Sequence, residues 1–177
     1  MSQIKVNSII PIAGVPTGGG GGIIQVKQVV KTDTFSTTGT TSFVDVTGLT
    51  VSITPTSTSS KILVLYDLSW SSSDGHISCR LMRGSTMIKV GDADGNRIRA
   101  TGHRHEGGSN SGDTYDIDVC AGTFLDSPAT TSSVTYKIMV RTNSTGNNVQ
   151  VNRGGNDANA DYEGRTASSI TLMEVSA

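Results

Sequence analysis

Residues 61–70, KILVLYDLSW, decide how this chain folds. Ile62, Val64, Tyr66, Leu68 and Trp70 alternate along the segment, and side chains two apart on a strand share one face. Such a row predicts a strand with that face in a core. Leu63 and Leu65 make the opposite face apolar too. A sheet with one solvated side would be polar there. The second face therefore predicts a second covering layer, either another sheet or another subunit, and Leu63 and Leu65 become the candidate subunit-interface residues.

The same period of two recurs outward from this segment. It predicts strands at 23–31, 42–46, 49–54, 77–82, 87–90, 97–101, 114–125, 133–141, 149–152 and 169–175. Turn signals separate them: the Ser/Thr/Pro cluster at 55–60, Asp74-Gly75, Arg83-Gly84-Ser85 and Asp92-Ala93-Asp94-Gly95-Asn96. Residues 102–113 and 153–165 read as polar loops. No segment has a helical period. Many short strands at even spacing predict a sandwich or barrel. The expected fold is all-β, a jelly-roll-like β-sandwich with a short extended N-terminal arm. An immunoglobulin-like sandwich is the alternative, but that fold takes about 100 residues and would need long insertions.

Five glycines divide the chain into an N-terminal docking arm (1–17), a glycine joint (18–22) and a β-sandwich body (23–177). Ile4, Val6, Ile9, Ile10 and Ile12 are too few to build a core, so the arm is expected to dock on an outside partner. The glycine run is not a phosphate loop, because neither Lys-Ser nor Lys-Thr follows it. A hinge and a packed passage between chains are both open readings.

Of the 177 residues, 34% are hydrophobic, 5% aromatic and 16% charged, and 46 are Ser or Thr. Composition this lean can mean disorder, but here the apolar residues alternate rather than scatter. The net charge is −1. A general nucleic-acid binder would carry a basic stripe, so no nucleic-acid partner is expected. No stretch approaches the roughly 20 apolar residues of a membrane span. The first residues lack the basic and continuous apolar regions of a signal peptide. Synthesis in a cytoplasm without membrane insertion is expected.

His103-Arg104-His105 is the sharpest local motif. Two histidines one residue apart on an extended chain point the same way. In a trimer, three such pairs could offer six imidazoles to one transition metal on the threefold axis, with iron or nickel favoured over four-coordinate zinc. The blander reading is a solvated loop without any cofactor. Asp92 begins a run like a calcium loop, but His103 stands where a glutamate is needed at the twelfth position. A turn with Gly95 at positive φ is the better reading.

No nucleophile elbow is present, and Asp116 and Asp118 read as solvating acids, so an enzyme is not expected. Trp70 is in phase with Tyr66 and Leu68 and is expected in the core, not on a sugar platform. Cys79 shares a phase with Ile77 and Leu81, whereas Cys120 lies opposite Tyr115, Ile117 and Val119. Two free thiols on different faces are expected.

The opening SQIKVNSIIPIAG resembles the leader of virion proteins of marine bacteriophages, especially cyanophages. DTFSTTGTTSFVDVTGLTVSITPTSTSSKILV, FLDSPATTSSVTYKIMV and RTASSITLMEV resemble β-rich modules of the same proteins. The resemblance implies a non-enzymatic structural protein of the virion, a homotrimeric tail-fibre or capsid-decoration module. Its partners would be other tail or capsid proteins, reached through the arm. A tail adhesin for host attachment, reading a host surface glycan with loops 102–113 and 153–165, is the alternative. A polysaccharide-degrading enzyme is the more remote one.

Overall fold

The computed structural model describes residues 22–72, 75–106 and 115–176. The arm residues Ile4, Val6, Ile9, Ile10 and Ile12 lie outside the described residues. The described chain forms eleven strands: β1 (Ile23–Lys31), β2 (Phe35–Thr38), β3 (Val44–Ile53), β4 (Lys61–Ser71), β5 (Gly75–Arg83), β6 (Thr86–Ile88), β7 (Gly102–Glu106), β8 (Asp118–Asp126), β9 (Val134–Thr142), β10 (Asn148–Val151) and β11 (Ser168–Val175).

The strands form two antiparallel sheets. In the first, β4 is central, with β8 along one side and β11 then β10 along the other. β1 flanks β11, and β2 flanks β10. In the second, β3 pairs β9, β9 pairs β5, and β6 and β7 share the far edge of β5. Three pairs each act as one broken strand: β1 with β2, β6 with β7, and β10 with β11. Counting each pair once leaves eight strands, ordered 1-8-3-6 in one sheet and 2-7-4-5 in the other. That is the jelly-roll arrangement of two four-stranded sheets.

The core lies between the sheets. Ile62, Val64, Leu68, Ile170, Leu172, Val149 and Val151 from the first meet Val46, Leu49, Ile53, Ile77, Leu81, Tyr136, Ile138 and Val140 from the second. Trp70 is buried among them, so it is a core residue and not an exposed platform.

Three expectations are corrected. The two strands expected at 42–46 and 49–54 are one strand, β3 (Val44–Ile53): Gly48, at φ 84°, takes up a bulge between Asp45 and Thr50. Residues 97–101 are not a strand, whereas 102–106 are; the polar GHRHE segment pairs with β5 as an edge strand and needs no apolar row. The segment FSTT had no strand signal, yet it pairs with β10 through its backbone. The turn at Gly95 has positive φ, with Arg97 N–H donating to Asp94 C=O at 3.1 Å, but no strands flank it.

Buried polar groups hold the breaks in these strands. Asn152 is fully buried at φ 64°. Its Nδ2 donates to the carbonyls of Lys31 and Asp33, both at 2.9 Å, and its Oδ1 accepts from Ser168 Oγ at 2.6 Å. It ties the end of β1 to the start of β11. At the opposite end of the sandwich, Glu174 is also fully buried. Burial by itself would raise its pKa. Hydrogen bonds from Gln25 Nε2 (2.6 Å), from the hydroxyl and backbone N–H of Thr56 (both 2.7 Å) and from Ser60 outweigh that, and they hold it at about 2.

A depressed carboxylate pKa stabilises the fold above the unfolded value, and that contribution is lost as pH falls through the folded one. Acid titration from pH 5 to pH 2 is therefore expected to lower unfolding free energy by roughly 2–3 kcal/mol through Glu174. Glu174→Gln is expected to be less stable at pH 7 and to show a flatter profile over that interval, measured by denaturant melts.

Candidate functional site

The outer faces of the two sheets differ in chemistry. On the second sheet the outward row of β5 and β9 carries Arg80, Lys137 and Arg141, with Lys137 Nζ 2.8 Å from Asp45. The Arg80 guanidinium lies 3.8 Å from the Phe43 ring centroid. This is an ordinary solvated face, polar where its partner face is apolar.

The first sheet breaks that rule. Pairing places Val26 opposite Met173, Met173 opposite Leu63, and Leu63 opposite Leu125. One apolar row thus crosses β1, β11, β4 and β8. The neighbouring rows add Leu65 and Thr123 on one side, and Ile23 and Val175 on the other. Leu125, Val26 and Ile23 are 56%, 52% and 60% exposed, and Leu63, Leu65, Met173 and Val175 are partly so. Leu63 therefore sits at the centre of an outward apolar row, with Leu65 beside it, that the second sheet does not cover; Gln28, Thr171, Asp67 and Lys61 on the adjoining rows are polar.

Strand β8 explains why this surface is wider than the sequence suggested. Its apolar residues Val119, Ala121 and Leu125 point outward, and its inward row is Asp118, Cys120, Gly122, Phe124 and Asp126. The inward acids are satisfied across the edge of the sandwich. Asp118 pairs with Arg104 Nε at 2.5 Å. Asp126 accepts from Arg83 Nη1 at 2.8 Å and from Tyr136 Oη at 2.6 Å. Burial, together with the Asp126 carboxylate, pushes the Tyr136 phenol upward, so it stays a donor. The expected separation of the two thiols is corrected by the same inversion. Cys120 faces inward, and its Sγ lies 3.5 Å from Cys79 Sγ; both thiols are free.

His103 and His105 lie on β7 with the same outward direction, and His76 of β5 joins them. Ring centroids are 4.2 Å apart for His76–His105 and 5.4 Å for His76–His103. The chain's three histidines thus form one cluster, which sequence spacing could not show for His76, 27 residues before His103. His76 Nδ1 is buried without a hydrogen-bond partner among the described residues. His103 Nδ1 is 2.9 Å from Ser78 Oγ. No group of three His, Cys, Asp or Glu among the described residues is arranged to hold a metal.

The cluster also lies on the outer face of the second sheet, opposite to Leu63 and Leu65. Packed sheets are about 10 Å apart and their outer faces point away from each other. One threefold axis cannot adjoin both sets, so an axial metal and an axial Leu63–Leu65 face exclude each other.

Loop 153–165 is held by Asp157, which pairs with Arg153 Nη1 at 3.0 Å and also with Arg165. Asp157, Asn159, Glu163 and Arg165 line a small cavity of about 210 Å³ there. Tyr162, 65% exposed, meets Tyr115 edge to face at 5.5 Å. Both rings reach solvent; Tyr115 falls in the alternating stretch expected at 114–125, whereas no alternation pattern marked Tyr162.

The fold is thus a jelly-roll β-sandwich in which the outer face of the first sheet carries a continuous apolar row. No family model matches the chain, and no curated protein matches it either.

Desolvation, then the neighbouring charges of His76, Arg141 and His105, lower the His103 pKa. A histidine whose folded pKa is depressed loses stability as pH falls through its unfolded value, because the unfolded chain then binds the proton more readily. Acidification from pH 7.5 to 5.5 is expected to lower the melting temperature, and His103→Gln is expected to reduce that loss, in thermal melts at matched ionic strength.

Proposed function

We propose that this chain is a non-enzymatic structural module of a phage virion, a homotrimer that packs the first sheet's outer face around its threefold axis. The observation that carries the reading is the apolar row Val26–Met173–Leu63–Leu125. Fully covering such side chains contributes roughly 1.5–3 kcal/mol each. Exposed apolar surface of this continuity marks an interaction site. A closed ring of identical copies covers it without leaving an open, filament-forming end. The resemblance of the leader and of the Ser/Thr-rich strands to phage virion proteins supplies the setting.

The arm then attaches the trimer to a larger tail or capsid scaffold through Ile4, Val6, Ile9, Ile10 and Ile12. The route is supported by the position of Gly22. Its N–H lies 3.1 Å from Ser176 Oγ, and its carbonyl accepts from Ser176 N–H at 3.1 Å. The chain therefore enters the body beside Ile23 and Val175, at the end of the apolar face. Three arms on one trimer bind with avidity. In this arrangement the histidine cluster lies on the outside, away from the axis, and the trimer takes no axial metal.

A second reading, a glycan-binding adhesin, is favoured by one observation. Tyr115 and Tyr162 present aromatic rings to solvent beside the Asp157–Asn159–Glu163 loop, and sugars stack on such rings while hydrogen-bonding nearby acids and amides. A glycan array lacking signal, or a signal unchanged by Tyr162→Ala, would remove it.

Two substitutions test the main reading. Leu63→Glu combined with Leu125→Glu places acids on the outward row and leaves the inward core untouched. Sedimentation is expected to shift from trimer to monomer with the β-sheet circular dichroism retained; a trimer that survives both changes contradicts it. Removal of residues 1–17 is expected to leave the trimer intact and to abolish its incorporation into particles.

A further inference from the structure

We propose that Cys79 and Cys120 form a reversible disulfide across the open edge of the sandwich when the protein meets hydrogen peroxide or a small-molecule disulfide. Cys79 comes from β5 in one sheet and Cys120 from β8 in the other, 41 positions apart in the chain. Their sulfurs are 3.5 Å apart, with the Cys79 thiol donating to Cys120. Cys79 is buried, and Cys120 is half-buried at the edge. Of the two, Cys120 is therefore the one that a small oxidant reaches.

The surroundings are shaped for this pair. A Cβ on Gly102 would come within 2.4 Å of Cys120 Sγ and 2.9 Å of Cys79 Sγ, so glycine on β7 leaves the space in which the sulfurs meet. On the other side, Lys89 Nζ donates to Tyr66 Oη at 2.6 Å. Gly122 makes room for that contact, since a Cβ there would lie 2.5 Å from Nζ and 2.8 Å from Oη. Lys89 itself holds φ at 50°, a conformation that non-glycine residues adopt rarely. An ammonium beside a partly exposed thiol is the setting of a reactive cysteine. The Cys79 hydrogen bond, with the Lys89 charge assisting against the effect of burial, lowers the Cys120 thiol to about 7. The Cys79 thiol is pushed up by that same hydrogen bond and by burial. Exposure separates the two roles: Cys120, half-buried at the edge, is the nucleophile, and the buried Cys79 resolves.

With peroxide, the Cys120 thiolate attacks one oxygen and the O–O bond breaks. Cys120 becomes a sulfenic acid, and the departing hydroxide takes up a proton to become water. Cys79 then loses its proton, its sulfur attacks the Cys120 sulfur, and the S–O bond breaks with release of a second water. Two thiols and one peroxide become one disulfide and two waters. A small-molecule disulfide reaches the same product by two exchanges, releasing two small thiols. The bond covalently joins the two sheets at β8, the edge strand whose outer side carries Leu125 and Val119.

The test is stoichiometric peroxide or oxidised glutathione added to the full chain, followed by thiol titration and non-reducing peptide mass mapping. Titratable thiols are expected to fall from two to zero per chain, with one Cys79–Cys120 peptide within a single chain, reversed by dithiothreitol. Cys79→Ser is expected to leave Cys120 as a sulfenic acid that dimedone traps. Two thiols still titrating, linkage only between chains, or both cysteines oxidised without linkage would overturn the proposal. Wild-type mapping decides it even if the serine variant does not fold.

Discussion

Strand β4 has two apolar faces, and a two-layer sandwich can bury only one of them. Ile62, Val64, Tyr66, Leu68 and Trp70 go inward and become the centre of the core. Leu63 and Leu65 are then forced outward, because side chains along a strand alternate without exception of register. β4 is also the strand on which β8, β10 and β11 all pair. Its position cannot shift by one residue without exchanging core and surface for the whole first sheet. The outward leucines are thus a consequence of the strand that organises the fold, and Val26, Met173 and Leu125 extend them across three more strands.

The rest of the molecule is arranged around that commitment. The apolar side of β8 belongs to the outer face, so its inner side must be accommodated within the sandwich edge by other means. Arg104 takes Asp118, Arg83 and Tyr136 take Asp126, and Cys120 meets Cys79. Asp126 is buried, so removing Arg83 or Tyr136 leaves its charge desolvated at a cost beyond what the contact contributes, whereas the half-exposed Asp118 turns to water when Arg104 is removed. The inner side of edge strand β8 is therefore held by polar contacts and sulfur together with Phe124, which packs against the core. Asn152 and Glu174 serve the two ends of the first sheet in the same way.

Strong alternation made much of this legible. The segments around Ile24–Val30, Ile62–Trp70, Val134–Val140 and Ile170–Leu172 each carried enough apolar contrast to place a strand, and their number and spacing indicated two packed sheets. What was not legible had little contrast. Phe35–Thr38 and Gly102–Glu106 are held by backbone pairing at the margins, where side-chain pattern is weak. The face assignment of β8 misled for a different reason: alternation says which residues are together, not which side is in, and both sides of this sheet are apolar somewhere. Leu63 and Leu65 were visible because both rows of one strand were apolar. His76 and Tyr162 were not, since each joins its partners only through tertiary pairing.

The central claim is that the first sheet's outer face is covered by other copies of the chain. Hydroxyl-radical footprinting of the wild-type protein over a dilution series addresses it directly. The account predicts that Met173 and Leu125 are protected at high concentration nearly as well as core Leu172, and become reactive as dilution separates the copies. Labelling of Leu125 at an undiminished, concentration-independent level, as for exposed Tyr162, would contradict it.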